Sequence, residues 1–241
     1  MSWDGLNILA VVPARGGSKG IPRKNLRRVG GLSLIAHAAR VLRPLAWLDH
    51  AVLSTDDQEM ADEGKRHGLE VPFLRPAEFA QDLSTAVDMW RHAWLASEEH
   101  FGRRFDVSIL LQPTTPLRTP DEIEQTVKAM VDGGHRAAAT VSRVPAHYTP
   151  EKILQMGASG VLRHYHPRGH EHTARQTIPP YFFRNGLCYA VTRDTLIDKG
   201  LIIEEDCVGV VIDRYVVNID DPVDLELAEF FHARDPGLFN C

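Results

Sequence analysis

The sequence of 241 residues lacks the features of several specialised protein classes. Its three cysteines, Cys188, Cys207 and Cys241, are too few and too scattered for a disulfide framework or a zinc knuckle. No apolar run approaches the roughly 20 residues that a transmembrane helix needs, and the N-terminus has no basic region typical of a secretory signal. We therefore expect a protein of the reducing cytoplasm, without a membrane anchor.

An excess of positive charge is also absent. The formal net charge of -5 provides no general basic field for nucleic acid, so a polyanion must bind at a local concentration of cations. Such a concentration lies in "VPARGGSKGIPRKN" (residues 12–25), where Arg15, Lys19, Arg23 and Lys24 surround a pair of glycines. We expect no nucleic-acid partner, and an anionic small molecule at this basic turn.

Short apolar runs alternate with stretches of helical periodicity along most of the chain. The runs "NILAVVPA", "HAVLSTD" and "DVSILLQP" are typical of buried strands, and apolar residues between them recur at helical spacing. This alternation predicts an α/β fold with a Rossmann-like, doubly wound and mostly parallel sheet, in a single domain over residues 1–241. The periodicity breaks down between about residues 144 and 184, which predicts an inserted arm.

Two of the predicted helices have well-marked beginnings. Thr119, Pro120 and Glu122 match an N-cap, a first helical position and the glutamate of a capping box. Asp221 and Pro222 match the start of a last helix. The apolar spacing predicts that this last helix buries Val223, Leu227 and Phe230.

The glycine-rich turn follows the first predicted strand, and ligands of open α/β sheets bind beyond the carboxyl ends of the strands. Gly16 and Gly17 can direct backbone N–H groups at one anion without steric hindrance from a Cβ. The turn is not a Walker loop, because no Gly-Lys-Ser/Thr ends it, and a dinucleotide fingerprint would require glycine at Arg15. The pattern favours a polyphosphate site, and a solvated basic turn is the alternative.

Further polar residues follow other predicted strands. Asp56 and Asp57 end the second strand, Gln112 ends the central strand, and "NIDD" (residues 218–221) precedes the last helix. If the strand order brings these ends together, the site has a cationic half and a carboxylate half. A magnesium-bound nucleoside triphosphate requires both.

Six segments resemble, in order, the motifs of the N-acylneuraminate cytidylyltransferases, or CMP-sialic acid synthetases, which include CMP-legionaminate and CMP-pseudaminate synthetases. They are "PARGGSKGIPRKN", "STDD", "LRPAEFAQDLSTAVD", "LLQPTTPLR", "RQTIPPYFFRNGLCY" and "NIDDPVDLELAE". The resemblance implies a fold of the nucleotide-diphospho-sugar transferase type. It also implies a Mg²⁺-dependent reaction of CTP with a nine-carbon 2-keto sugar acid that yields the CMP-sugar and pyrophosphate. In this family the irregular arm forms the contact of a homodimer.

The resemblance also implies roles for individual residues. The implied nucleotide-binding residues are Arg15, Gly16, Gly17, Ser18, Lys19, Lys24, Asn25, Arg75 and Ser84. The implied sugar-binding residues are Gln112, Arg175 and Tyr189, and the implied metal ligands are Asn218 and Asp220. Lys24, Arg15 and Asp220 are the implied catalytic residues, with Lys24 expected to stabilise charge that develops at the α-phosphate.

The chain departs from the family pattern at two places. Asn218 stands where family members commonly have the first aspartate of an Asp-x-Asp pair, so the metal site loses one charge. Arg184 precedes Asn185 and Gly186, where many relatives have Arg-Pro-Asn-Gly, and this difference bears on which sugar is accepted.

Other functions stay open at the level of the sequence. Enzymes that activate the eight-carbon acid KDO resemble this chain less, because their basic turn is shorter. A non-catalytic nucleotide or sugar sensor is an alternative that Asn218 motivates. Two His-x-His pairs, at residues 164, 166, 170 and 172, could hold a transition metal, but their irregular, glycine- and proline-containing context favours surface or interface histidines.

Overall fold

The computed structural model describes residue 3 and residues 5–81, 84–171, 176 and 178–236. The strands are β1 (Ile8–Pro13), β2 (Arg28–Val29), β3 (Leu32–Ser33), β4 (His50–Ser54), β5 (Val107–Leu110), β6 (Ala137–Arg143), β7 (Leu154–Met156), β8 (Leu162–His164), β9 (Phe182–Thr192) and β10 (Cys207–Val211). The α-helices are α1 (Leu34–Leu42), α2 (Gln58–Arg66), α3 (Ala86–Phe101), α4 (Pro120–Val131) and α5 (Pro222–Arg234).

A central sheet of six strands has the order β10-β6-β9-β5-β1-β4. β1 pairs in parallel with β4 and β5, and β10 pairs in parallel with β6. β9 is antiparallel to both of its neighbours, β5 and β6. The predicted α/β fold with a mostly parallel sheet is therefore confirmed. Because β9 runs against the other strands, its first residues lie at the same edge as the carboxyl ends of β5 and β6.

Apolar clusters cover both faces of this sheet. On one face, residues of β1 and β5 pack with α1 and α4. On the other face, Trp90 and Trp94 of α3 are fully buried, and Trp90 donates a hydrogen bond from Nε1 to Ser108 Oγ at 2.9 Å. The capping box at the start of α4 forms as the sequence predicts, with Thr119 and Glu122 accepting from each other's backbone N–H groups.

The predicted buried face of the last helix was wrong for Val223 and Phe230, whereas Leu227 is partly buried against an apolar cluster. Val223 and Phe230 are 57% and 56% exposed, and the fully buried residue of α5 is Ala228. The reason is that α5 packs on β2 and on a small apolar cluster, where a small side chain allows close approach.

The irregular segment that begins near residue 144 contains the β7–β8 hairpin, which forms a sheet of its own. At its far end, Phe182, Phe183 and Arg184 belong to β9 and pair with β6. Among the described residues, no helix is long and apolar enough to cross a membrane.

His37 generates a test of the fold. It is fully buried on α1, its Nε2 donates to the carbonyl of Val29 at 2.7 Å, and burial lowers its pKa to about 4. The unfolded chain therefore takes up a proton near pH 6.5 while the folded chain resists it until about pH 4. Stability should fall as pH drops through this window, by roughly 1 to 2 kcal/mol between pH 6.5 and 5.

Urea unfolding at pH 8, 6.5 and 5 measures this effect, with His37→Gln as the variant. Glutamine retains a donor for Val29 but does not titrate, so the variant should lose less stability on acidification than the wild-type protein. Equal losses in the two proteins would contradict the assignment.

Candidate functional site

One cavity at the carboxyl edge of the sheet gathers most of the residues that the sequence singled out. Its volume is about 680 Å³. The predicted site residues that line it are Arg15, Ser18, Lys19, Lys24, Asn25, Arg75, Ser84, Gln112, Asn218 and Asp220. The basic turn and the "NIDD" segment therefore face one cleft, as the sequence requires. The catalytic and binding roles assigned to these residues stay predictions.

The basic turn approaches the segment before α5 very closely. A Cβ on Gly20 would lie 2.7 Å from the carbonyl oxygen of Asp220, which is closer than real Cβ atoms come to other atoms. Lys24, at the end of the turn, donates from Nζ to the carbonyl of Ile219 at 2.8 Å and pairs with Asp220 Oδ1 at 2.9 Å. Glycine at position 20 is thus a requirement of the cleft.

Arg23 differs from the other cations of the turn because it is held by carboxylates outside the cavity. Its backbone is left-handed (φ 57°), and its guanidinium pairs with Asp57 at 2.5 Å and also with Glu59. The hydrogen bond that Arg23 donates to Asp57 raises the pKa of Arg23. Arg23 therefore anchors the turn, while Arg15, Lys19 and Lys24 line the cavity.

The prediction that Asp56 and Asp57 form a carboxylate half of the cavity was wrong, because neither residue lines it. Asp57 caps α2 by accepting from the Met60 N–H at 3.0 Å. Burial alone would raise the pKa of Asp57, but hydrogen bonds from Arg23 and the Met60 N–H keep that pKa below its usual value. Asp56 accepts from the Gly16 N–H at 2.9 Å, so this amide points to a carboxylate of the protein.

The glycines of the turn occupy its outer part, since neither Gly16 nor Gly17 lines the cavity. A Cβ on Gly16 would lie 3.1 Å from Asp57 Oδ2, whereas a Cβ on Gly17 would meet nothing within 4 Å. Their predicted part in nucleotide binding stays a prediction.

Asn218, Asp220 and Lys24 form a hydrogen-bonded group at the wall of the cavity. Asn218 donates from Nδ2 to Asp220 Oδ2 at 2.8 Å, and Thr115 donates from Oγ1 to Asn218 Oδ1 at 3.4 Å. The backbone N–H of Asp220 donates to Asp224 at 2.9 Å, which fixes the chain at the start of α5. Asp220 is the only one of these side chains that carries negative charge into the cavity.

Three predicted nucleotide-binding residues are tied into the cavity wall. Arg75 is 6% exposed and donates from Nε to Ser54 Oγ at 3.0 Å, and burial lowers its pKa to about 10. Asn25 donates to the Arg15 carbonyl at 3.3 Å, and Ser84 donates to the Glu78 carbonyl at 2.7 Å. These contacts orient the side chains before any ligand binds.

The predicted sugar-binding residues do not all lie at the cavity. Gln112 lines the cavity. Tyr189 does not; it is 6% exposed within the apolar cluster under α3, where burial raises its pKa. Its predicted contact with the sugar therefore has no support from this geometry. Arg175 lies outside the described residues.

Sequence reasoning assigned no role to Arg118, which supports the loop that carries Gln112. Arg118 is 1% exposed, donates from Nε to the Thr115 carbonyl at 2.9 Å and also contacts the Gln112 carbonyl. Burial lowers its pKa to about 10. A buried arginine whose hydrogen bonds go to the carbonyls of a single loop fixes the shape of that loop.

Asn185 and Gly186, which directly follow the departure from the family pattern at Arg184, have structural roles that the sequence analysis does not assign. Asn185 is buried and bonds through its side chain to Thr140 at 2.6 Å and to Ser142 at 3.1 Å. Gly186 has φ 78°, and a Cβ there would lie 2.6 Å from Gln112 Oε1. A glycine within a strand pattern indicates a bulge or a close backbone approach, so Gly186 could have revealed this contact.

The donor set suits Mg²⁺ better than a transition metal. Asp220 is an exposed carboxylate at the cavity with an amide beside it, and Mg²⁺ is commonly held by one or two carboxylates together with substrate phosphates and water. No group of three His, Cys, Asp or Glu side chains within the described part of the chain could hold a metal ion. His164 and His170 lie with ring centroids 6.3 Å apart, and His172 is outside the described residues.

A family match and curated relatives show what the chain is similar to. The family described as "Cytidylyltransferase" matches residues 9–200. The "CMP-N,N'-diacetyllegionaminic acid synthase" of Campylobacter jejuni is 30% identical over 225 residues, covering 92% of this chain and 94% of that protein. The "Post-translational flagellin modification protein B" of Campylobacter coli is 29% identical over 225 residues, again covering 92% and 94%.

The fold also matches a solved structure. CMP:2-keto-3-deoxy-manno-octonic acid synthetase complexed with CTP has a TM-score of 0.69 and 19% sequence identity, and the match covers 95% of this chain and 99% of that one. At this identity the match shows the shared fold.

The contact between Gly20 and Asp220 generates a prediction about CTP, the nucleotide that the motifs imply. Gly20→Ala must push the turn away from Asp220, because the added Cβ meets a backbone carbonyl that cannot rotate aside. We expect CTP to bind at least about tenfold more weakly, by calorimetry in the presence of Mg²⁺.

Gly209→Ala is the matched control, because Gly209 lies outside the cavity and its Cβ would make only an ordinary contact, 3.6 Å from Val141 Cγ2. This variant should bind CTP within about twofold of the wild-type protein. Equal affinities of the Gly20→Ala variant and the wild-type protein would show that the close approach is unimportant.

Proposed function

Because this chain belongs to the cytidylyltransferase family, we propose that it transfers the CMP group of CTP to a nine-carbon 2-keto sugar acid of the sialic acid class. The observation that carries the proposal is the single cavity in which Arg15, Lys19 and Lys24 face Asp220. The name of the C. jejuni relative makes N,N'-diacetyllegionaminic acid the first sugar to test.

The proposed reaction forms a bond between the anomeric oxygen of the sugar and the α-phosphorus of CTP. The bond from that phosphorus to the oxygen bridging to the β-phosphate breaks, pyrophosphate leaves, and the hydroxyl proton passes to solvent. Such a transfer depends mainly on positioning and on neutralisation of charge, so a strongly basic side-chain nucleophile is not required.

The cations of the cavity would hold the triphosphate, and Arg75 and Asn25 would hold the nucleoside. Lys24 lies at the end of the basic turn with its Nζ bound to the "NIDD" segment at the wall of the cavity, and we assign it to the α-phosphate, as the motif implies. Arg75 is already oriented by Ser54, which lowers the entropic cost of binding.

Asp220, with Asn218 beside it, would hold Mg²⁺. A bound Mg²⁺ neutralises phosphate charge and supports the departure of pyrophosphate. Asp220 can serve because its side chain is 66% exposed at the cavity and its backbone is fixed by Asp224. Asn218 contributes a neutral amide in place of a second carboxylate, so Asp220 carries the protein's charge toward the metal.

The sugar acid would bind near Gln112, at the meeting of β5 and the start of β9. Gly186 allows the β9 backbone to approach Gln112, and Arg118 fixes the loop that carries it. The backbone of the loop is therefore fixed at Gln112, whose side-chain amide can donate to and accept from a polar acyl sugar.

A pyrophosphate-release assay tests the activity. We expect release that requires both CTP and a nonulosonic acid, from a panel of legionaminic, pseudaminic and N-acetylneuraminic acids and KDO. Binding of CTP without release for any sugar would favour a sensor, and release with KDO alone would move the assignment to the eight-carbon acids.

Asp220→Ala tests the role of the carboxylate within that assay. Loss of the only carboxylate of the Asn218–Asp220 pair should lower turnover at least about 100-fold. Glu226→Ala, on the exposed face of α5, is the control and should retain wild-type turnover. Wild-type turnover in Asp220→Ala would remove Asp220 from the mechanism.

We also propose that the chain forms a homodimer through the arm. Large apolar side chains of this segment are 41% to 68% exposed, among them Tyr148, Leu154, Met156, Leu162 and Tyr165. Such a concentration of exposed apolar surface is typical of a protein–protein interface.

Light scattering after size exclusion measures the assembly. Met156 and Leu162 pair across the β7–β8 hairpin, so Met156→Lys with Leu162→Lys should convert a dimer to a monomer. Leu201→Lys changes an apolar residue that is 40% exposed outside the arm and should leave the dimer intact. A wild-type monomer, or a dimer that survives the double substitution, would refute the proposed interface.

A further inference from the structure

Both carboxylate oxygens of Asp220 are engaged by nitrogen donors of the protein. Oδ1 lies 2.9 Å from Lys24 Nζ, and Oδ2 accepts from Asn218 Nδ2 at 2.8 Å. The two groups that the proposed function assigns to the metal and to the α-phosphate are therefore bound to each other.

Without ligands, Lys24 takes the place of the cation that Asp220 would bind, and Asp220 takes the place of the phosphate that Lys24 would bind. The Lys24 ammonium is a compact cation that faces the carboxylate, as a divalent cation would. The Asp220 carboxylate presents an anionic oxygen to the ammonium, as a phosphate would. A divalent cation alone would meet repulsion from Lys24, and a metal-free triphosphate would meet repulsion from Asp220.

We propose that the Lys24–Asp220 ion pair is an exchange element that makes the cavity bind metal and nucleotide together and disfavours either one alone. This inference rests on the proposed function. When the metal and the nucleotide enter as one complex, Asp220 turns from Lys24 to the cation and Lys24 turns from Asp220 to phosphate.

The backbone on both sides of the pair allows an exchange by side-chain rotation. Lys24 starts a short 3-10 turn (Lys24–Leu26) that is anchored by the buried Asn25. Asp220 is held through its backbone N–H by Asp224. The Asp220 side chain is 66% exposed, so its carboxylate can rotate without disturbing a packed core.

The direction of the effect separates this role from that of a structural salt bridge. If the pair merely stabilises the cleft, removal of either member weakens the binding of both ligands. If the pair is an exchange element, removal of Lys24 strengthens binding of the metal alone, and removal of the Asp220 charge strengthens binding of the nucleotide alone.

The first experiment measures Mn²⁺ binding to the nucleotide-free protein by electron paramagnetic resonance of the unbound ion. Lys24→Met keeps the length of the side chain and removes its charge, so it should bind Mn²⁺ at least tenfold more tightly than the wild-type protein. Lys19→Met removes one positive charge from the wall of the same cavity and should change the affinity less than threefold. Equal or weaker Mn²⁺ binding by Lys24→Met would overturn the inference.

The second experiment measures CTP binding in EDTA with wild-type protein, Asp220→Asn, Lys24→Met and the double variant. Asp220→Asn should bind metal-free CTP about five- to tenfold more tightly when Lys24 is present, because the repulsion is relieved and Lys24 is also released. The gain should be smaller in the Lys24→Met protein, where only the repulsion is relieved. The difference between these two gains in affinity measures the coupling between Lys24 and Asp220, separately from the effect of a change in net charge. An equal gain in both backgrounds would contradict the exchange.

The wild-type assays separate this inference from the proposed function. A protein that binds no CTP with Mg²⁺ present lacks the proposed function itself. A protein that releases pyrophosphate with a nonulosonic acid, but whose Lys24→Met variant gains no Mn²⁺ affinity, retains the function and refutes the exchange.

Discussion

The close packing of the basic turn on the segment before α5 is the constraint on which the cavity depends. Lys24 and Asp220 are 196 positions apart in the sequence. Beneath them, Ile21, Val217 and Ile219 are buried in one apolar cluster. Full burial of such a side chain contributes about 1.5 to 3 kcal/mol, whereas a partly exposed ion pair contributes about 0 to 1 kcal/mol. Apolar packing therefore holds the two segments together, and the ion pair can open without loss of the cleft.

The charged residues near the cavity form two groups, one that anchors the basic turn and one that lines the cavity. Arg23, Asp57 and Glu59 neutralise one another outside the cavity and fix the turn to the start of α2. Arg15, Lys19 and Lys24 remain on the cavity wall, where Asp220 faces them. Because the anchoring charges are satisfied by one another, a bound anion is not required to hold the turn in place.

Local sequence patterns predicted the helices and strands. The face that each element buries and the residues that it contacts depend on long-range geometry. The capping box at Thr119 was readable because it involves residues three positions apart. The environment of Tyr189 was not readable, because β9 enters the sheet antiparallel and its register with β6 shifts between Ala139 and Val141. A shift of one residue turns every later side chain to the opposite face of a strand.

The candidate site shows the same division between local and long-range information. The basic turn and "NIDD" were recognisable as sequences, but whether Asp57 lines a cavity or caps a helix depends on where α2 begins. It begins directly after Asp57, so that carboxylate serves the helix and the turn. Arg118 was missed because its function is to bind the carbonyls of Gln112 and Thr115, and backbone acceptors leave no mark in a sequence.

The contacts of Asn218 show what an amide at this position does that a carboxylate could not do. Its Oδ1 accepts from Thr115, so its Nδ2 is directed to Asp220, where it donates a hydrogen bond. A carboxylate at position 218 could not donate this bond, and it would add a second negative charge that Lys24 alone could not neutralise. With asparagine, Lys24 and Asp220 balance without a ligand. Asparagine at position 218, which would reduce the charge available to the proposed metal, thus also leaves the charges of Lys24 and Asp220 balanced in the ligand-free protein, as the proposed exchange requires.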